Sequence, residues 1–196
     1  TKDWTGPFYG FERVIESYEL TDKPYRFKPI DIYYHSYIVS KTASLNSLHK
    51  VYQWALKQPV FPIYSSEYIK KVLDFNDFVI ARTPEGYRFR GNGDLKTVRW
   101  TDEKNHINFA DSPQVAGFNR YNGQNYVHLL ASNTDLVTQS ANNTLPYVES
   151  TNARINRFAR SKNALDLSLT GYQPISITFA NASKCQLIQG SKTLAT

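Results

Sequence analysis

The stretch "LDFND", residues 73–77, marks the point where the hydrophobic period of the chain changes. Before it, apolar residues recur at helical spacing between short apolar runs. After it, they alternate with polar residues, as half-buried strands require. A change of period means a change in how the chain packs. The sequence therefore predicts two units, 1–76 and 77–196, and a mixed α+β fold.

Towards the N-terminus, "FERVIESYEL" places Phe11, Val14, Ile15 and Tyr18 on one helical face, and Pro24 follows soon after the pattern ends. "PIDIYYHSY" (29–37) opens as a short apolar strand over 29–34 and closes on His35, set among Tyr33, Tyr34 and Tyr37. "TASLNSLHKVYQWALKQP" predicts a second helix with Leu45, Leu48, Tyr52, Ala55 and Leu56 as its stripe, stopped before Pro59. "VFPIY" (60–64) reads as another short strand. Ser65 or Ser66 then caps a third helix, with Tyr68, Ile69, Val72 and Leu73 as its buried side. Helix, strand, helix, strand, helix is the order of parallel strands joined by right-handed crossovers. Two strands do not make such a sheet stable, so further strands are expected upstream. The absence of any methionine carries the same expectation, that the chain is a piece of a longer one.

Towards the C-terminus, "DFVIAR", "YRFR", "KTVRW", "VAGFNRY", "NYVHLL", "LDLSL" and "ISITF" are candidate strands. Pro84-Glu85-Gly86, Gly91-Asn92-Gly93-Asp94 and Asn122-Gly123 supply the backbone angles of tight turns between them. Seven or more short strands with such turns predict an antiparallel β-sandwich of jelly-roll type. The polar run "SNTDLVTQSANNT" (132–144) is expected to be a surface loop.

At 196 residues and 41% hydrophobic composition the chain can bury a real core, so wholesale disorder is excluded. No run of about 18 apolar residues is present, so no membrane span is expected. A lone Cys185 forms no internal disulfide. The net charge of +6 is spread along the chain, and its densest stretch, Arg154, Arg157, Arg160 and Lys162, is interrupted by Phe158. Nucleic-acid sites use a tighter basic patch with aromatic platforms. These four residues are therefore read as a solvated strand face, and no nucleic-acid partner is expected.

His35 is the first candidate for chemistry. In a β/α barrel the C-terminal end of a strand is where active sites are built. Two readings stand: a residue that acts, or a hydrogen-bonded member of the tyrosine cluster. His49 and His106 fall at exposed positions, and His128 shares a strand face with Tyr126 and Leu130, where a structural role is expected. No two histidines have zinc-ligand spacing, no G-x-S-x-G is present and no carboxylate pair stands out. In the β half, Tyr87, Trp100, Tyr121, Tyr126, Tyr147 and Tyr172 are candidates to stack on sugars, two or three of them exposed.

"YGFERVIESYELTDKPYRFKPIDIYYHSY" and "VYQWALKQPVFPIYSSEYIKKVLDF" together resemble the end of the polysaccharide deacetylase domain in Pel-type exopolysaccharide biosynthesis proteins, and the β-rich remainder resembles their C-terminal sandwich. The resemblance is most specific over residues 8–78. The wider carbohydrate esterase family four closes its motifs with an aliphatic residue, two variable positions and a histidine, here Ile32-Tyr33-Tyr34-His35. What the resemblance implies is a chain made of the closing β/α units of a deacetylase barrel (1–76) and a β-sandwich accessory domain (77–196), for which carbohydrate binding is the implied role. It implies His35 as the general acid that protonates the leaving amine, with Tyr34, Tyr37 and Tyr64 as substrate contacts. The implied substrate is an acetylated amino-sugar polysaccharide of a bacterial biofilm matrix, processed in the periplasm or outside the cell. The family's zinc-like divalent metal is expected in the full-length parent, because its Asp-His-His ligands and base aspartate have no counterpart here. The upstream part of the barrel is thus an expected partner, and the chain alone is expected to be inactive. A non-catalytic carbohydrate-binding or scaffold module remains the other reading.

Overall fold

The computed structural model of the chain describes residues 9–23, 26, 28–101, 104–121 and 123–195. Pro24, expected to follow the first helix, and Asn122 of the Asn-Gly turn lie outside them. The chain divides into two units, Thr1–Val60 and Phe61–Thr196. The division thus falls at 60/61 and not at 76/77. The third predicted helix packs with the β-rich part, for a reason given by Asp74 below.

In the first unit, α1 (Tyr9–Glu12) and α2 (Val14–Leu20) take the place of the single predicted helix, broken by a turn at Arg13. Tyr18 is buried: its hydroxyl donates to Asp31 O at 2.6 Å and its ring stacks on Trp54 with centroids 5.6 Å apart. After a 3-10 turn, Ser36–Ser40, comes α3 (Thr42–Leu56), whose buried stripe is Ser44, Ser47, Leu48, Val51 and Ala55. The predicted stripe is therefore rotated, with Tyr52 and Leu56 exposed. Small serines permit close approach, and Ser47 Oγ donates to Glu12 Oε1 at 2.8 Å, so polar residues occupy the contact face. Lys50 Nζ joins the same carboxylate at 3.1 Å. The burial of Ser47 thus depends on an acceptor brought by α1, a partnership that periodicity does not encode.

Residues 29–34 and 60–64 are not strands. Neither segment pairs in a ladder among the described residues. A strand exists by the hydrogen bonds of a neighbour, and the described chain supplies none to either.

The second unit opens with α4 (Ser65–Asp77). The strands that follow are β1 (Val79–Arg82), β2 (Gly86–Arg90), β3 (Thr97–Trp100), β4 (His106–Ile107), β5 (Val115–Tyr121), β6 (Gln124–Leu129), β7 (Thr134–Gln139), β8 (Tyr147–Thr151), β9 (Arg154–Arg160), β10 (Leu165–Thr170), β11 (Ile177–Ala180), β12 (Leu187–Gln189) and β13 (Lys192–Ala195). They form antiparallel sheets of order β1-β2-β7-β4 and β3-β6-β5, with two-stranded ribbons β10-β9, β11-β8 and β12-β13. The fold is therefore mixed α+β with several antiparallel sheets. Phe89, Val98, Trp100, Ile107, Val115, Val127, Leu129 and Leu136 form one core cluster fed by both larger sheets. Ala116, Val148 and Ile155 form a second.

Three expectations change here. The run 132–144 contains β7, an interior strand whose Thr134 and Leu136 are buried while Asp135 faces out to pair with Arg88. Its alternation is real but is carried by threonine, which reads as polar. Leu136, 1% exposed, gains about 1.5–3 kcal/mol from its burial. On α4 the apolar residues are the open ones: Ile69 is 56% exposed and Leu73 61%, with Tyr68 and Val72 exposed as well. The residue α4 buries is Asp74, whose carboxylate accepts from Asn92 N (2.6 Å), Asp94 N (2.9 Å) and Leu95 N (2.7 Å). These bonds fasten α4 to the β2–β3 loop. Finally, Arg160 is no part of a solvated face. Its guanidinium lies over Phe109 (4.3 Å) and Phe158 (4.8 Å) and donates to Val115 O, Ala116 O and Pro146 O at 2.8–3.0 Å.

Gly117 sets how closely β5 and β8 approach. A Cβ there would sit 1.8 Å from Val148 O, a distance no side chain tolerates.

Candidate functional site

Two places carry chemistry, one in each unit. In the first, residues 29–35 join no helix or ladder among the described residues, and His35, itself extended (φ −90°, ψ 148°), accepts Ile38 N at 3.0 Å to start the 3-10 turn. The imidazole is half-buried between two rings. Tyr37 stacks on it with centroids 5.1 Å apart and planes at 9°, and Tyr33 meets it edge-on at 5.3 Å with its hydroxyl 3.5 Å from Nε2. Tyr34 turns away from His35 to meet Tyr52 edge-on at 6.5 Å. Of the predicted contacts, the fold therefore brings Tyr37 to His35 and leaves Tyr34 beside α3. Tyr64 belongs to the second unit, where its ring meets Tyr172 at 4.8 Å and its N–H donates to Glu67 Oε2 at 3.0 Å.

The second place is a pocket of about 520 Å³ within the second unit. Its floor follows from strand alternation in β3-β6-β5. Val98, Trp100, Val127 and Leu129 face the core, so Thr97, His128 and Tyr126 face the other way, with Gly117 and Asn119 opposite His128 and Tyr126 on β5. Thr97 Oγ1 and His128 Nδ1 are 3.0 Å apart. Phe61, Thr151 and Arg154 join the wall, and α4 with its neighbouring loop contributes Glu67, Lys70, Lys71, Asp94 and Lys96. Arg154 is bound to Glu67, and Lys71 Nζ donates to Asp94 O at 2.7 Å. Burial first, then the Lys96 and Lys71 ammonium groups, push the His128 imidazole down to about 4. Burial likewise lowers Lys71, helped by Arg154 and Lys96.

Of the six rings singled out in the β half, Tyr121 and Tyr172 are exposed and Tyr126 lines the pocket, while Tyr87, Trp100 and Tyr147 belong to the first core cluster or pack against it. The pocket residues Thr97, Asn119 and Lys96 were not foreseen. The alternation in "KTVRW" and "NYVHLL" does place polar residues on one face, but nothing local says which face is covered.

Among the described residues no three His, Cys, Asp or Glu side chains converge as metal ligands would. No described helix is long and apolar enough to cross a membrane. No protein family, curated protein or solved structure matches the chain.

Proposed function

We propose that the chain is the closing part of a bacterial polysaccharide deacetylase that removes acetyl groups from an amino-sugar polymer of the biofilm matrix, in the periplasm or outside the cell. In this reading His35 protonates the leaving amine. The observation that carries it is the position of His35: itself extended, immediately before a helical turn, at the end of a segment that joins no ladder among the described residues, with Tyr37 stacked on its ring and Tyr33 edge-on. Cleavage of an amide C–N bond needs a proton on nitrogen, because an amide anion is too poor a leaving group, and a positioned imidazole supplies one at neutral pH. Two further features support the reading. Residues 60–64 likewise join no ladder among the described residues, and Tyr68, Ile69, Val72 and Leu73 of α4 are exposed. A β/α unit leaves such surfaces when neighbouring strands are not there to cover them.

The groups that activate the attacking water lie outside this chain in this reading. The antiparallel sheets serve as the jelly-roll-like accessory domain. Acetate release from N-acetylated amino-sugar oligomers tests the proposal: a longer protein that joins this chain to upstream barrel units releases acetate, whereas this chain alone does not. Release by the chain alone would overturn it.

A second reading is favoured by a separate observation, the pocket of the second unit. Its volume suits one or two sugar rings, and Tyr126 with Thr97, Asn119 and Thr151 offers the ring face and hydrogen-bonding groups that saccharides use. On this reading the second unit is a carbohydrate-binding module.

A further inference from the structure

We propose that the pocket of the second unit takes a sugar that carries a carboxylate, with the carboxylate at the Lys96–His128 end and the pyranose ring along Tyr126. The inference deepens the carbohydrate-binding reading and rests on it; it is independent of any role for His35.

The charged and titratable residues that line the pocket are Lys70, Lys71, Lys96, Arg154 and His128 against Glu67, Asp94 and Glu149. Their total is nearly balanced, so arrangement decides. Arg154 is neutralised by Glu67, which also accepts from Tyr64 N. Lys71 donates to the Asp94 carbonyl, and the Asp94 and Glu67 carboxylates offset its charge. Lys70 and Lys96 make no ion pair among the described residues. At the floor, Lys96 precedes Thr97, which meets His128 at 3.0 Å, and its carbonyl accepts Leu129 N at 2.6 Å, so Lys96 is the cation set beside His128; Lys96 and Lys71 both act on that imidazole. That end is therefore locally positive, in a half-buried setting where water screens less than at the open surface.

The same floor is not merely an anion trap. Along β6, Tyr126 stands two residues from His128 on the same face, about 7 Å along the strand. That spacing is close to the length of one pyranose ring. Asn119 stands opposite Tyr126, and Thr97 opposite His128, so hydrogen-bonding groups flank both positions. A pocket of about 520 Å³ is far larger than a phosphate or acetate needs. A hexuronate presents a ring face, hydroxyls and a single carboxylate, which is the pattern these residues offer.

Isothermal calorimetry of the whole chain with galacturonate and glucuronate oligomers, and with galactose and glucose oligomers of equal length, tests this. A uronate oligomer is expected to bind about tenfold tighter than its neutral counterpart, the value of one charge-assisted hydrogen bond. Lys96→Gln should remove that advantage, bringing the ratio of uronate to neutral affinity down to about one. Because a variant can fail by misfolding, amide and ring shifts of the wild-type chain provide a second reading: uronate should perturb His128 and Tyr126. Equal binding of neutral and acidic oligomers would overturn the carboxylate inference and keep the carbohydrate-binding reading. Absence of binding by every saccharide would overturn both. Inorganic phosphate or acetate binding as tightly as the uronate would reduce the pocket to a plain anion site and sink the inference, as would perturbations confined to residues outside the pocket.

Discussion

Thr97 Oγ1 and His128 Nδ1 meet at 3.0 Å across the antiparallel pair β3–β6, on the face turned away from the core. The hydroxyl can donate to Nδ1 only while that nitrogen is unprotonated. Burial and the nearby Lys96 and Lys71 push the imidazole in the same direction, down to about 4 from 6.5. Between those two values the unfolded chain binds the proton and the folded chain does not. Stability therefore rises with pH through this window and is fully restored above 6.5. Thermal melts should show the chain losing stability as pH falls from 7.5 towards 4.5, and His128→Asn should flatten that slope. An imidazole midpoint near 6.5 by proton NMR would contradict the assignment.

Asp74 gives a second pH effect in a lower window. Burial raises its carboxyl pKa, but the N–H groups of Leu95, Asn92, Asp94 and Gly93 more than offset this and hold it below 3.8. The stabilisation is complete above 3.8 and is lost as pH falls through the lower folded value. Asp135, paired with Arg88, shifts in the same direction, so Asp74 accounts for part of the acid sensitivity. Asp74→Ala should cost about 3 kcal/mol, because buried N–H groups lose their acceptor, and Asp74→Asn less. Urea titration at neutral pH checks this; a loss below about 0.5 kcal/mol for the alanine variant would show that the loop finds other acceptors.

These same residues explain which parts of the fold were legible. Strands β1, β2, β3, β5, β6, β10 and β11 follow from alternation and turn residues, because those signals are local. β7 was hidden because threonines occupy its inward positions, and only Leu136 announces burial. The stripe of α4 was inverted for a different reason: its buried contact is made by a carboxylate that answers the backbone N–H groups of residues 92–95, about 20 residues away, a match no periodicity reports. At the candidate sites, His35 and its rings are contiguous and could be read. The pocket is assembled from five separate segments, and the sequence gives no sign of their convergence.

Arg160 should behave as a core residue. Burial lowers its guanidinium to about 10, and it holds three carbonyls between two phenyl rings. Arg160→Met should destabilise the second unit by about 3 kcal/mol, since those carbonyls lose their donor. Arg160→Lys should recover only part, because an ammonium cannot span three acceptors and stack as a planar fork does. Equal stability of the lysine variant and the wild type would show that charge alone suffices.

His35→Asn separates a proton donor at this position from a packed ring. In a protein that joins this chain to upstream deacetylase units, acetate release from N-acetylated amino-sugar oligomers should be compared between wild type and His35→Asn, with melting temperatures measured in parallel. If His35 delivers the proton to the leaving amine, turnover should fall by about 10²-fold or more while the melting temperature changes little. Turnover near that of the wild type would rule out proton delivery by His35 and leave it as a packed ring between Tyr33 and Tyr37.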